Sequence, residues 1–183
     1  MYMHKKITGG LIAAALVAAC ATPDHTAGVT PTRGPNLGAT PSPAMLAAMD
    51  ISIPPSGAGL PAGSGSVAQG QKVYDAKCQI CHGPKGVGKP ADPLVGGMGS
   101  LASGKPMRTV GSYWPYATTL FDYVRRAMPT NAPQSLSNEE AYAASAYVLF
   151  LNGIIREDQV MTAQTLPQVK MPNRDGFIDY SRK

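Results

Sequence analysis

The most restrictive feature of this 183-residue chain is the pentapeptide Cys78-Gln79-Ile80-Cys81-His82. Two thiols three positions apart at a helix end can reach two vinyl groups on one edge of a porphyrin. The histidine that follows directly can then turn its imidazole toward the iron. This is the pattern of covalent haem attachment. A zinc site would need two further Cys or His ligands. The other histidines are His4 and His25, and the third cysteine is Cys20, all far upstream. A thioredoxin-like redox pair would need a βαβ pattern, and none surrounds the motif. The sequence therefore predicts one covalently bound haem c held by Cys78, Cys81 and His82.

The amino terminus predicts export. His4-Lys5-Lys6 precedes an uncharged, mostly apolar run from Gly9 to Ala19, too short to span a bilayer and of the right length for a secretory signal. Val17-Ala18-Ala19-Cys20 resembles the bacterial lipobox. That resemblance implies a signal peptide over 1–19, a diacylglycerol on Cys20, and a periplasmic chain anchored to a membrane, with Ala21 favouring the outer membrane. An ordinary signal with an incidental Cys20 is the alternative. The formal charge of +5 does not point to nucleic acid: removing Lys5 and Lys6 leaves 14 basic against 11 acidic residues, with no basic run.

Beyond the signal, residues 20–43 hold Pro23, Pro31, Pro35, Pro41 and Pro43 with no apolar period, and read as a flexible tether. Residues 44–66 carry Met45, Leu46, Met49, Ile51, Ile53 and Leu60, and read as an arm laid over the folded domain. That domain is expected over 67–153. Its first helix runs from Val67 to about Ile80, with Ser66 as N-cap. Thr119 to Asp122 reads as a capping box opening a short helix that ends near Met128. Ser137-Asn138-Glu139-Glu140 is a cleaner capping box for a helix through Leu151, with Gly153 as the stop. No strand pattern stands out. Residues 154–183, with Met161, Leu166, Val169, Met171, Phe177 and Ile178, read as a second extended arm.

No second histidine lies within the domain, so the sixth iron position falls to methionine or stays open. Met128, 46 residues after His82 and at the end of a helix before Pro129, is the leading reading. Met107 and Met98 in the earlier loop are the alternatives, and an open, gas-binding iron is a third.

These residues resemble the class I cytochrome c family. The resemblance implies an all-α fold around one haem, with a first helix bearing C-x-x-C-H, a distal methionine, and a last helix crossing the first. Gly70 and Tyr147 match the family's crossing point. Asp92-Pro93-Leu94-Val95-Gly96 resembles the loop whose proline carbonyl holds the outer N–H of the haem histidine, with Pro93 or Asp92 in that position. Three stretches resemble, more narrowly, the cytochrome subunits of sulfite dehydrogenases and of the Sox sulfane dehydrogenase: Gly57-Ala58-Gly59-Leu60-Pro61, the aromatic segment 111–123, and Met171-Pro172-Asn173-Arg174-Asp175-Gly176-Phe177. That likeness implies an electron-transfer protein rather than an enzyme, with an obligate haem subunit of a molybdenum sulfite or sulfane dehydrogenase, or a haem-based gas-binding sensor, as the alternatives. Its donor would be a molybdenum sulfite or sulfane dehydrogenase, or another periplasmic redox protein, and its acceptor a downstream cytochrome or oxidase.

Stable membrane attachment needs more than one acyl chain, which a diacylated cysteine supplies. Cys20→Ser should therefore move the protein from the membrane to the soluble periplasmic fraction with haem intact. A wild-type chain that is already soluble, with no lipid by mass spectrometry, would exclude the anchor.

Overall fold

The computed structural model describes residues 38–178 and 180. The signal segment 1–19, Cys20, His25 and most of the tether lie outside those residues. Residues 1–41 and 42–183 form separate units, and the second holds the helices and strands of the described residues. Its elements are α1 (Pro43–Met49), β1 (Ser64–Ser66), α2 (Val67–Lys77), α3 (Gln79–His82), α4 (Ala117–Ala127), α5 (Asn138–Leu151) and β2 (Val160–Thr162).

Helix α2 starts where a full capping box satisfies its first donors. Gln69 N–H donates to Ser66 Oγ at 3.2 Å, and Ser66 N–H donates to Gln69 Oε1 at 2.9 Å. The expected single helix to Ile80 is instead two, broken at Cys78, whose φ of −119° departs from helical geometry. Both Cys81 N–H and His82 N–H converge on the Cys78 carbonyl, at 3.1 and 3.0 Å, and tighten the turn. Gly83, at φ +72°, ends α3 in a backbone conformation costly for other residues.

Helix α5 opens on the expected capping box of Ser137 and Glu140 and stops before Gly153, at φ +67°. It is buried on every side from Ala141 to Leu149, so it is the central post of the domain. Helices α2 and α5 cross at backbone distance. A methyl group on Gly70 would overlap the Ala143 carbonyl and sit 2.7 Å from Tyr147 Cβ. Gly65 in β1 meets the backbone of the same Ala143. Beside this crossing Tyr74 and Tyr147 pack with ring centroids 5.3 Å apart, and Phe121 of α4 packs on Tyr142 at 4.4 Å.

Helix α4 begins two residues before the expected capping box. Tyr116 is its N-cap without a side-chain bond, and Thr119 Oγ1 donates back to the Tyr116 carbonyl. Asp122 is buried and serves another purpose, because Ile53 N–H and Arg126 claim its carboxylate.

The largely helical expectation also omits one feature, a two-stranded antiparallel ribbon pairing Ser64–Ser66 with Val160–Thr162. Three residues without apolar alternation leave no strand signature, and tertiary proximity makes the pairing. Met161 of β2, with Leu166 and Met171, is buried in the core. In the N-terminal arm Ile53 is buried and Leu60 packs on the core. Val169 also packs on the core and Ile51 is half-buried, whereas a further set of apolar arm residues behaves differently. Met45, Leu46 and Met49 face solvent on α1, none of whose residues is buried, and Phe177 and Ile178 are also exposed. Among the described residues, the apolar side chains of α1 are not buried as anchors.

Gly70→Ala should destabilise the haem protein by about 1–3 kcal/mol or more, because the Ala143 backbone cannot yield as a side chain would. Unchanged chemical denaturation would refute the close crossing. Lys77 Nζ, at the end of α2, lies 2.7 Å from Glu140 Oε1 in the first turn of α5. That bond, and then the Ser137 N–H, hold the Glu140 carboxyl below its ordinary range. A lowered folded value means stability that is present above the unfolded carboxylate range and lost as pH falls through the lowered value. Glu140→Gln should thus be less stable than wild type at neutral pH. The gap should stay modest, since both side chains are partly solvated, and close under acid denaturation.

Candidate haem site

Cys78, Cys81 and His82 stand together at the α2–α3 break, Cys78 half-buried, Cys81 exposed, His82 half-buried. Burial pushes the Cys78 thiol up to about 11. Among the described residues no three His, Cys, Asp or Glu side chains converge as a cluster for a bare metal ion. The donor set fits a haem instead: two thiols for thioether bonds and one imidazole for iron.

The imidazole has a defined tautomer. His82 Nδ1 lies 3.1 Å from the Asp92 carbonyl oxygen. A carbonyl can only accept, so Nδ1 carries the hydrogen and Nε2 keeps its lone pair free for iron. The carbonyl is that of Asp92, the residue before Pro93, which decides between the two that the sequence left open. Two backbone bonds hold the loop in register with the motif: Ala91 N–H to the Cys81 carbonyl at 2.9 Å, and Gly88 N–H to the His82 carbonyl at 2.8 Å.

Several residues that support this loop carry no motif. Tyr74, fully buried one turn before Cys78, donates its hydroxyl to the Gly83 carbonyl at 2.8 Å, next to His82. Burial pushes its phenol up to about 12, so it remains a donor at any physiological pH. Asn152 at the end of α5 donates to the Leu94 carbonyl at 3.1 Å, which links the histidine-holding loop to the central helix. Buried Thr109 and Ser112 organise the opposite loop, Thr109 Oγ1 donating to the Gly96 carbonyl and Ser112 Oγ to that of Met107.

Met128 is the C-cap of α4, half-buried, with extended backbone (φ −111°, ψ 146°) and its N–H on the Val124 carbonyl at 3.2 Å. The chain leaves the helix at this residue. Met98 and Met107 are 54% and 45% exposed, and Met107 is pinned by backbone bonds to Ser100 and Ser112. Cys20 lies outside the described residues, within which no helix is long and apolar enough to cross a membrane.

Comparison with known proteins agrees with this geometry. Residues 65–148 match the family described as cytochrome c oxidase, cbb3-type, subunit III. A thiosulfate dehydrogenase of Stutzerimonas stutzeri (strain A1501) is 28% identical over 93 residues, covering 48% of this chain and 28% of that protein. The chain thus spans under a third of the length of that curated relative. A chain in the crystal structure of the sulfane dehydrogenase SoxCD from Paracoccus pantotrophus is 40% identical, with a TM-score of 0.75 over 80% of this chain and 73% of its own. With a single C-x-x-C-H motif, its histidine fixed for iron, and this degree of identity along most of a solved relative, the chain belongs to the c-type cytochromes related to those of sulfur oxidation and binds haem c covalently.

Proposed function

We propose that this protein is a monohaem electron carrier of sulfur-compound oxidation, with His82 and Met128 as its axial ligands. It receives single electrons from a molybdenum sulfite or sulfane dehydrogenase and delivers them to a downstream cytochrome or oxidase. The observation that carries this reading is the likeness to the SoxCD chain at 40% identity over 80% of this one, more than residues 67–153 alone can supply. The likeness therefore extends into the arms, which a generic haem domain would not share. The same observation favours a closer reading, in which the protein is a resident haem subunit of such a dehydrogenase.

The haem supplies a one-electron centre; the chain's residues set its terms. His82, its Nδ1–H held by Asp92, offers iron a fixed and more basic imidazole. A methionine thioether on the other side favours reduced iron and raises the potential. Were His82 and Met128 both to hold the iron, no position would remain for sulfite or oxygen, and the chain would transfer electrons without itself oxidising substrate. We place it in the periplasm, held to a membrane through lipid on Cys20.

Oxidised wild-type protein should show the weak sulfur-to-iron absorption band at the red end of the visible spectrum. Met128→Ala should lose that band and fall in potential; a band that survives would move the ligand to Met107. For the pathway, sulfite or thiosulfate alone should leave the oxidised protein unchanged. Adding the molybdenum dehydrogenase of the same source should reduce it within the enzyme's turnover time. Rapid reduction by substrate without that enzyme would contradict the carrier role.

A further inference from the structure

Residues 51–55 run antiparallel to α4, and their contacts keep a regular step. Arg125 Nη1 donates to the Ile51 carbonyl at 3.4 Å, Ile53 N–H donates to Asp122 Oδ1 at 2.8 Å, and Thr118 Oγ1 donates to the Pro55 carbonyl at 3.0 Å. Two extended residues advance about 6.6 Å. Three or four helical residues advance about 4.5–6 Å. The two repeats nearly match, so every second arm residue meets a successive turn of the helix.

Asp122 is the centre of this seam. It is a carboxylate only 8% exposed in an apolar stretch, a costly placement unless its oxygens are occupied. They are: Oδ1 accepts from Ile53 N–H and from Arg126 Nε at 2.9 Å, and Oδ2 accepts from Arg126 Nη2. Arg125 and Arg126, three and two residues before Met128, are thus both engaged, one with the arm directly and one through Asp122. Ile53 is buried beneath the seam, 4% exposed.

We propose that Asp122 is a positioning residue for the distal methionine, clamping the N-terminal arm along α4 and so holding the helix end at which Met128 leaves. The inference rests on Met128 being the distal ligand. Its consequence concerns the lability of the iron–sulfur bond rather than stability alone. A loosened α4 end lets Met128 yield more readily to a competing ligand. The arm then adjusts how firmly the haem is closed.

The test is an imidazole titration of the oxidised haem protein, following loss of the sulfur-to-iron band. Asp122→Asn leaves an oxygen for Ile53 N–H but removes the charge facing Arg126. Ile53→Ala loosens the arm without touching α4. Both should bind imidazole more tightly than wild type, Asp122→Asn by about tenfold, the scale of one charge-assisted hydrogen bond. Met161→Ala, a cavity in the core under the opposite arm, should destabilise the fold yet leave imidazole affinity near wild type. Wild-type affinity in both seam variants, or equal tightening in Met161→Ala, overturns the proposal while the ligand assignment stands. A sulfur band that persists in Met128→Ala overturns the assignment and the proposal together.

Discussion

Everything around the haem site hangs on the backbone-to-backbone crossing of α2 and α5. Two glycines, Gly65 and Gly70, bring β1 and α2 against one residue of α5, Ala143, closer than any side chain would allow. That proximity places the end of α2, and with it Cys78, Cys81 and His82, beside the central helix. It also brings Lys77 onto Glu140, where the negative end of one helix and the positive end of the other each meet the opposite charge. Tyr74 and Tyr147 then fill the angle between the helices, and the Tyr74 hydroxyl reaches Gly83 to close the motif's last turn.

From this post the two faces of the site are held by different means. The histidine side is a loop fixed by backbone bonds, anchored to α5 through Asn152 and ending on the Asp92 carbonyl that orients His82. The side proposed to supply the methionine is a helix, α4, packed on α5 through Phe121 and Tyr142 and flanked by the arm at residues 51–55. A histidine whose tautomer is set by a short loop has little freedom to move. Met128, at a helix terminus, depends on how well that terminus is held, and the arm at residues 51–55 bonds to Asp122 and Arg125 of the same helix.

The arms show how irregular chain is fitted to a folded surface. Segments that lie on a surface as irregular chain must place each anchor individually, and turns at positive φ, such as Gly57 beside Pro167 and Thr118, let the chain follow the surface. The ribbon between β1 and β2 joins the two arms' bases across α5, and Met161 seals it from below. Apolar arm residues that found no such partner, Met45, Leu46 and Met49 among them, remain in solvent.

Local chemistry was legible in the sequence. The pentapeptide 78–82 needs only its own spacing to specify haem attachment, and the caps at Ser66 and Ser137 need only a residue three positions on. The stop at Gly153 and the end of α4 by Met128 are likewise local events. What depended on distant residues was not legible. Thr119 and Asp122 have capping-box spacing, yet the carboxylate faces Ile53, 69 residues earlier, because a buried charge goes wherever donors can reach it. The ribbon, the Asp92 carbonyl behind His82, the Asn152 link to Leu94 and the sorting of buried from exposed apolar arm residues were all decided by tertiary structure. Their partners become neighbours only after α2 and α5 have crossed, and no pattern of period or spacing within one segment encodes a neighbour that folding alone supplies.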